Sequence, residues 1–434
     1  MISQILFIIL LSAGTFFFTK NVKRIRRLIL LGKELNRKDN PGKRWATMAR
    51  VALGQSKMVV RPVAGIMHIF VYLGFVIINI EVLEIIIDGV LGTHRIFAPL
   101  SSLYNVLIGS FEILAVLVTL GCVVFLIRRN ILRLKRFWMS EMTSWPRTDA
   151  NLILIIEILL MTAFLTMNAT DGILQSRGYG HYIRAGAFPV SSIYRQLFAS
   201  LSNETLETVE RSCWWFHIIG IIAFLNYIPY SKHFHIILAF PNTYFANLNP
   251  KGKFTNMESV TNEVNLMLHP EISPPADYQP PSGFGAKDIY DLTWKNLMDA
   301  YSCTECGRCT SECPANQTGK FLSPRKIMMD TRDRMEEIGK GMDKNGKDFR
   351  DDKSLFNYIK EEELWACTSC NACTQACPVN IDPLNIIIEM RRYLVMEKSQ
   401  MPSEIQTMLT KIENNGAPWQ FSQADRFNWA SNVD

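Results

Sequence analysis

The chain has 434 residues, of which 48% are hydrophobic and 20% are charged, and its formal net charge is +6. This length predicts two or more domains. The charge is an average over two unlike halves and indicates no nucleic-acid partner. The sequence has no phosphate-binding loop, dinucleotide fingerprint or hydrolytic triad, which excludes the enzyme classes that depend on them.

Five apolar stretches in residues 1–240 approach or exceed the length that spans a bilayer. They are Ile2–Phe18, Val63–Ile87, Val106–Ile127, Leu152–Met167 and Cys213–Phe240. The first stretch lacks the basic region and the cleavage site of a signal peptide, so it is predicted to remain as a membrane anchor. Residues 1–240 are therefore predicted to form a five-helix transmembrane domain in a mainly α-helical protein.

Basic residues are concentrated in two of the four connectors between these stretches. Thirteen lie from Lys20 to Arg61 and six from Arg128 to Arg147, whereas the other two connectors hold five between them. Because basic connectors remain in the cytoplasm, the N-terminus is predicted to lie outside and the second half of the chain inside. The protein is thus predicted to be a multi-pass protein of the cytoplasmic membrane, surrounded by lipid.

Two histidines of the fifth stretch, His217 and His235, lie 18 residues apart. On one helix this spacing is five whole turns and about 27 Å of rise, so both side chains are predicted to face one side. His68, at the start of the second stretch, is predicted to lie at the cytoplasmic depth of His235. Since haem b takes two axial ligands from different helices, His68 and His235 are the predicted pair. His233 is the rival to His235, but on the same helix it would face about 160° from His217.

The outer end of the predicted bundle has no such obvious pair. A partner for His217 in the second stretch would lie near position 78, which is isoleucine. His94 and His181, both predicted to lie in outer loops, are candidates to complete a second haem; otherwise His217 is a candidate for a quinone site. Glu157, the deepest carboxylate in an apolar stretch, is a candidate proton relay, with an interhelical hydrogen bond as the alternative.

Proline and glycine are frequent in residues 241–288, which are predicted to form a linker. After the linker, apolar residues again recur at helical spacing. This spacing predicts a helix that leads into Cys303 and helices in three further segments. The segments are Pro324–Ile338, Lys353–Trp365 and Pro383–Met396. Residues 289–399 are therefore predicted to form an α-helical cytoplasmic domain, and residues 400–434 to form a tail that binds a partner.

Eight of the ten cysteines form two copies of the pattern C-x2-C-x2-C-x3-C-P, offset by 64 residues. The copies are Cys303, Cys306, Cys309 and Cys313, and Cys367, Cys370, Cys373 and Cys377. Bacterial two-cluster ferredoxins have this spacing, and in them the fourth cysteine of each copy ligates the other [4Fe–4S] cluster. Cys377 is therefore predicted to join the first three cysteines of the first copy, and Cys313 those of the second.

Two alternatives to the clusters are weaker. Zinc sites prefer two cysteine pairs separated by a longer loop, and disulfides need an oxidising compartment. Lys320, Arg325 and Lys326, which follow the first copy, are candidates to tune the potential of its cluster or to contact a partner, with a solvated face as the default expectation.

The membrane half resembles the cytochrome b subunit of membrane-bound nitrate reductases. The run Pro229–His235 resembles the segment after that family's fifth span, whose last histidine is a haem ligand. His217 and His68 match two further haem ligands, whereas Ile78 stands at the position of the fourth. The resemblance implies a haem held by His68 and His235.

The soluble half, from Trp294 to about Met396, resembles the α-helical ferredoxin subunit of heterodisulfide reductases. The resemblance rests on Asp299–Ser302 before the first motif, and on Pro314–Asn316 and Leu322–Arg325 after it. The whole chain is similar to the membrane part of electron-transfer-flavoprotein:menaquinone oxidoreductases.

Larger relatives of that kind continue into a domain rich in CCG motifs. Asn414–Trp429 resembles the segment that leads into it, but the sequence contains no CC pair. The resemblance implies that a separate CCG-type iron–sulfur subunit or an electron-transferring flavoprotein is the partner.

The combined prediction is a membrane electron-transfer subunit of a respiratory oxidoreductase, which connects a cytosolic partner, two clusters, haem b and menaquinone. The alternative is a haem-free membrane anchor that connects a cytosolic dehydrogenase to the membrane through its clusters. In that case the histidines are structural.

Overall fold

The computed structural model describes residues 1–271, 273 and 283–431, and the described chain is helical apart from one isolated bridge between Lys33 and Thr293. The first half contains eight α-helices. They are α1 Ile2–Ile29, α2 Pro41–Met48, α3 Pro62–Leu91, α4 Ser102–Leu126, α5 Trp145–Arg177, α6 Ser191–Tyr194, α7 Asn203–Tyr227 and α8 His235–Tyr244. Short helices dominate the second half. They are α9 Glu258–Leu268, α10 Trp294–Ser302, α11 Arg308–Ser311, α12 Pro314–Gln317, α13 Pro324–Asn345, α14 Glu361–Trp365, α15 Ala372–Ala376, α16 Pro383–Lys398 and α17 Ser403–Asn415.

Five helices of the described chain, α1, α3, α4, α5 and α7, are long and apolar enough to cross a membrane. The prediction of a five-helix bundle is confirmed. Each helix packs on the next in this order, and α1 closes the bundle by packing on both α3 and α7. Small residues permit the close contacts of α1. A Cβ on Gly89 would lie 2.6 Å from the Phe7 ring, and one on Gly14 would lie 2.4 Å from Ile222.

The fifth predicted stretch, Cys213–Phe240, is not one helix. Helix α7 ends at Tyr227 and is followed by 3-10 turns over residues 228–230 and 232–234. Pro229 has no amide proton for a continuing helix, and extended Ser231 caps the next turn by accepting a hydrogen bond from His233. The prediction that His217 and His235 share one helix and one phase is therefore wrong.

The second half of the chain packs directly against the membrane bundle. Its core side chains, including Leu297 and Ile386, form one continuous apolar cluster with Leu28 of α1 and Phe234. Lys33 donates to the Leu292 carbonyl at 2.8 Å and accepts from Trp294 at 3.1 Å, which ties the end of α1 to the start of α10.

Side chains from both basic connectors, and from the end of α1, also bind the second half. The ion pairs are Arg24–Glu336 at 2.7 Å, Arg27–Asp343, Arg61–Glu312 at 2.7 Å and Glu141–Arg325 at 2.7 Å. The cysteine-rich half therefore lies at the end of the bundle where the basic connectors are.

Two predicted segments differ from the structure. Lys353–Trp365 is divided into a 3-10 turn at Leu355–Asn357 and helix α14, because Ser354 and Lys360 each begin a separate capping box. The predicted linker contains helix α9, and its Pro274, Pro275, Pro280 and Pro281 lie outside the described residues, as do residues 432–434 of the tail.

Candidate redox centres

The two cysteine motifs have the same backbone turn. In the first motif Glu305 and Gly307, on either side of Cys306, have φ values of +54° and +69°. The equivalent residues of the second motif, Ser369 and Asn371, have φ values of +56° and +59°. Left-handed residues on both sides of the second cysteine reverse the chain twice, so successive cysteines can face one centre. The 64-residue repeat in the sequence is thus a structural repeat.

Cysteines from both motifs line one cavity. Cys303, Cys306 and Cys309 line it together with Cys377. Helices α11 and α15, which contain the third cysteines Cys309 and Cys373, pack on each other and bring the two motifs together. The four cysteines give the cavity the donor set of a [4Fe–4S] site.

The remaining cysteines form a second group. Burial and the nearby Cys313 and Cys370 thiols raise the pKa of Cys367, so Cys313 of the first motif lies beside the second. Cys370 is exposed, whereas Cys313 and Cys373 are buried. The second group therefore contains the most exposed of the eight motif cysteines.

Arg325 does not lie on a solvated face. Its side chain is fully buried and lines the cavity of the first group, donating to the Arg136 carbonyl at 2.6 Å. The buried Nε of Arg325 has no hydrogen-bond partner. Buried donors are rarely left unpaired, so this Nε–H fits a site completed by a sulfide-bearing cluster. The expectation of a solvated face is wrong for Arg325; Lys320 is exposed, and half-buried Lys326 binds Asp330 at 2.6 Å.

Gly307 leaves the space that Arg325 occupies. A Cβ at Gly307 would lie 2.4 Å from Nη1 of Arg325, whereas one at Gly319, with φ +85°, would meet nothing within 4 Å. Both Gly307→Ala and Gly319→Ala should lose about 1 kcal/mol to left-handed strain. Gly307→Ala should lose clearly more and release iron at a lower temperature, measured by thermal bleaching of the visible absorbance. Equal losses in both variants would contradict the close contact.

Two predicted haem ligands lie together at the end of the bundle that faces the cysteines. The rings of His68 and His235 have their centroids 6.5 Å apart, at an angle of 45°. Nδ1 of His235 lies 3.1 Å from the Lys232 carbonyl, and the buried Nδ1 of His68 has no partner. His233 contacts His235 at 5.4 Å. An imidazole nitrogen lies about 2 Å from a bound metal, so two rings on opposite sides of one metal have centroids roughly 6 Å apart.

The segment that carries His235 is also joined to the first cysteine motif. Lys232 and Arg332, the latter at 2.8 Å, both bind Glu305, which lies between Cys303 and Cys306. Burial alone would raise the pKa of Glu305, but Arg332 and Lys232 lower it to about 2. Glu305 is therefore a carboxylate at physiological pH, and the ion pairs hold the two candidate centres in one arrangement.

The outer histidines are divided between two places. His217 is buried on α7, with Nδ1 3.1 Å from the Leu160 carbonyl and the Phe164 ring 6.0 Å away. His94 and His181 lie outside the helices, as predicted, and their ring centroids are 5.1 Å apart. The ring contacts of the described residues do not join His217 to either of them.

A buried polar network surrounds His94, and sequence reasoning missed its centre, Arg95. Arg95 donates to Asp171 at 2.6 Å, to Tyr104 at 3.0 Å and to Asn168 at 2.9 Å. A lone arginine next to a predicted loop forms no recognisable sequence pattern, so nothing in the sequence indicated this role.

Glu157, the predicted proton relay, lies half-buried on α5, within electrostatic range of the Cys122 thiol of α4. It lies one helical turn before Leu160, whose carbonyl binds His217.

Comparison with known proteins supports the iron–sulfur interpretation. The model of the family described as 4Fe-4S dicluster domain matches residues 299–381. The chain is 27% identical to the probable iron–sulfur-binding oxidoreductase FadF of Bacillus subtilis and 26% identical to the EtfAB:quinone oxidoreductase of Syntrophomonas wolfei. Each alignment covers 98% of this chain, and 60% and 59% of the respective relative.

A more local similarity links the chain to heterodisulfide reductases. One component of the ferredoxin/F420H2-dependent CoB-CoM heterodisulfide reductase of Methanosarcina acetivorans is 30% identical over 27% of this chain and 60% of that protein. No solved structure matches the chain. The chain is thus a multi-pass membrane protein with two [4Fe–4S] clusters on its dicluster-domain cysteines. It is distantly similar to oxidoreductases and spans about three fifths of the length of FadF and the EtfAB:quinone oxidoreductase.

Proposed function

We propose that the chain is the electron-transfer subunit of a respiratory quinone oxidoreductase. The observation that carries this proposal is that three candidate centres lie in one packed molecule. The exposed Cys370 marks the first, the cavity lined by Cys377 is the second, and the pair of His68 and His235 in the membrane bundle is the third.

The proposed cluster ligands follow the exchange of fourth cysteines. Cluster 1 is held by Cys303, Cys306, Cys309 and Cys377, which line one cavity. Cluster 2 is held by Cys367, Cys370, Cys373 and Cys313, and the electrostatic coupling of Cys367 to Cys313 supports it. The clusters supply one-electron carriers; the chain's residues hold them, exclude water from cluster 1 and leave cluster 2 near the surface.

His68 and His235 are the proposed axial ligands of a haem b. Their separation of 6.5 Å fits two imidazoles on one metal. The contact of His235 Nδ1 with the Lys232 carbonyl orients the ring and leaves Nε2 for iron, as hydrogen-bond partners of metal-bound histidines do. His233 does not make this ring contact with His68, so His235 is the better ligand.

Menaquinone is the proposed membrane substrate, reached through the outer part of the bundle. His217, His94 and His181 remain candidates for a second haem or for the quinone site. Glu157 is the proposed proton relay, since a carboxylate among apolar helices is costly and often functional. The name of the relative from Syntrophomonas wolfei, a quinone oxidoreductase, supports the choice of substrate.

The proposed orientation places the cysteine-rich half in the cytoplasm. Both basic connectors contact that half, through Arg61 and Glu141 among others, and basic connectors are retained on the cytoplasmic side. The proposed partner is an electron-transferring flavoprotein or a CCG-domain iron–sulfur protein. The proposed domain boundaries of the chain lie near residues 240, 288 and 399.

The proposal is tested on the purified protein in detergent. Dithionite should bleach the cluster absorbance and produce the α band of a b-type haem, and a menaquinone analogue should restore the oxidised spectrum of both. A bleached spectrum with no α band supports the haem-free anchor instead. Failure of the quinone analogue to reoxidise a protein that ferricyanide does reoxidise would contradict the quinone site.

A further inference from the structure

Four cations surround the proposed site of cluster 1, and they come from both halves of the chain. Arg308 and Arg325 line the cavity directly. Lys57, from the connector before α3, donates to the Cys377 carbonyl at 3.0 Å. Arg136, from the connector after α4, has its Cβ beside Gly307, and its guanidinium lies within electrostatic range of Cys306. Together these four residues form the cationic shell.

Most of the shell is not neutralised by carboxylates. Lys57 binds a carbonyl, and Arg308 binds the carbonyls of Lys57 at 2.8 Å and Met58 at 3.3 Å. Arg325 alone of the four has an ion pair among the described residues, with Glu141. The Glu305 carboxylate nearby is itself paired with two further cations. The site of cluster 1 therefore carries a net positive surrounding.

Among the hydrogen bonds of the described residues, a single cation binds the cysteines proposed for cluster 2. Arg391 is this cation, and it donates to the Cys367 carbonyl. An opposite charge lies on the other side, where Thr374 next to Cys373 donates to Asp382 at 3.1 Å. These two charges offset each other.

The difference in surrounding charge changes the stability of the reduced form of each cluster. A [4Fe–4S] cluster gains one negative charge on reduction, and its potential depends on nearby charge, hydrogen bonds to sulfur and solvent exposure. Water at the exposed Cys370 also stabilises the reduced form of cluster 2, which opposes the effect of the shell. The shell acts from inside the protein, where effective dielectric constants of about 20 screen charges less than bulk water does.

We infer that Lys57, Arg136, Arg308 and Arg325 hold cluster 1 at a higher reduction potential than cluster 2. An electron delivered at the exposed side of cluster 2 then moves inward: cluster 2 loses one electron, cluster 1 gains it, and no proton or bond changes. The donor is a reduced flavin- or iron–sulfur-bearing protein. This inference rests on the proposed function and gives it a direction, towards the membrane.

The test is a potentiometric titration of the detergent-purified protein, followed by the electron paramagnetic resonance signals of the two reduced clusters. The parent should show two one-electron transitions, and Cys370→Ala should lose the lower one. In Lys57→Gln the ratio of reduced to oxidised cluster 1 at a fixed potential should fall by up to tenfold, equivalent to about 59 mV for one electron. Arg136→Gln should act in the same direction.

Lys320→Gln is the matched control, because Lys320 is exposed in the same half of the chain and does not line the cavity. It should change the ratio less than twofold, since water and salt screen its charge. The inference is overturned if Cys370→Ala loses the higher transition, or if Lys57→Gln and Arg136→Gln behave like Lys320→Gln. Absence of two cluster signals from the parent contradicts the proposed function itself.

Discussion

Cys377→Ala should remove the cluster of the first motif, although Cys377 belongs to the second. Cys377 lines one cavity with Cys303, Cys306 and Cys309, so its loss deprives that site of its fourth thiolate. The non-haem iron content should fall from about eight to about four atoms per chain, because each [4Fe–4S] cluster holds four. Iron analysis and the electron paramagnetic resonance spectrum of the reduced protein measure the change.

Two variants determine which cluster is lost. The spectrum of Cys377→Ala should match that of Cys306→Ala and differ from that of Cys370→Ala. Cys213→Ala, which alters a half-buried thiol of α7, should retain all the iron. A Cys377→Ala spectrum that matches Cys370→Ala would show that each motif holds its own cluster without exchange.

His68→Ala and His235→Ala should each abolish the b-type α band and retain about eight irons per chain. The two rings face each other at 6.5 Å, so removal of either leaves the metal with one axial imidazole. The reduced-minus-oxidised spectrum measures the haem, and iron with acid-labile sulfide measures the clusters. Haem loss should be nearly complete, whereas cluster content should change by less than about a fifth.

His233→Ala is the control, because it removes a neighbouring half-buried imidazole whose ring contacts His235. It should retain most of the haem. If His233→Ala loses the band and His235→Ala keeps it, the ligand assignment is wrong. If both His68→Ala and His235→Ala keep it, the pair is structural.

The membrane helices and the cluster motifs were predictable because both depend on local pattern. A run of apolar residues must form a helix in lipid whatever its neighbours are, and five such helices are present in the described chain. Cysteines at steps of three carry their spacing into any fold, and the family match over residues 299–381 confirms the dicluster domain.

The break after α7 was less predictable. His217 and His235 lie at a spacing that suits one helix, but the chain leaves the helix at Pro229 and Ser231. Even so, His235 comes to lie beside His68, through the turn and not through helical phase. His68 and His235 therefore remain the predicted pair, but the assumption that His217 and His235 share one helix is wrong.

The sequence by itself determined the cofactor-binding cysteines, the five spans and the basic connectors, because each is set by composition or spacing within a short segment. Only the tertiary structure decided what surrounds cluster 1. Lys57 and Arg136 are more than 160 residues from Cys303 in the sequence, yet they adjoin Cys377 and Gly307, which line its cavity. Arg325, in a charged run that reads as solvated, is fully buried there. The energy between two charges depends on their distance in space, and a local sequence pattern does not contain that distance. The charges around cluster 1 therefore follow only from the packing of the two halves against each other.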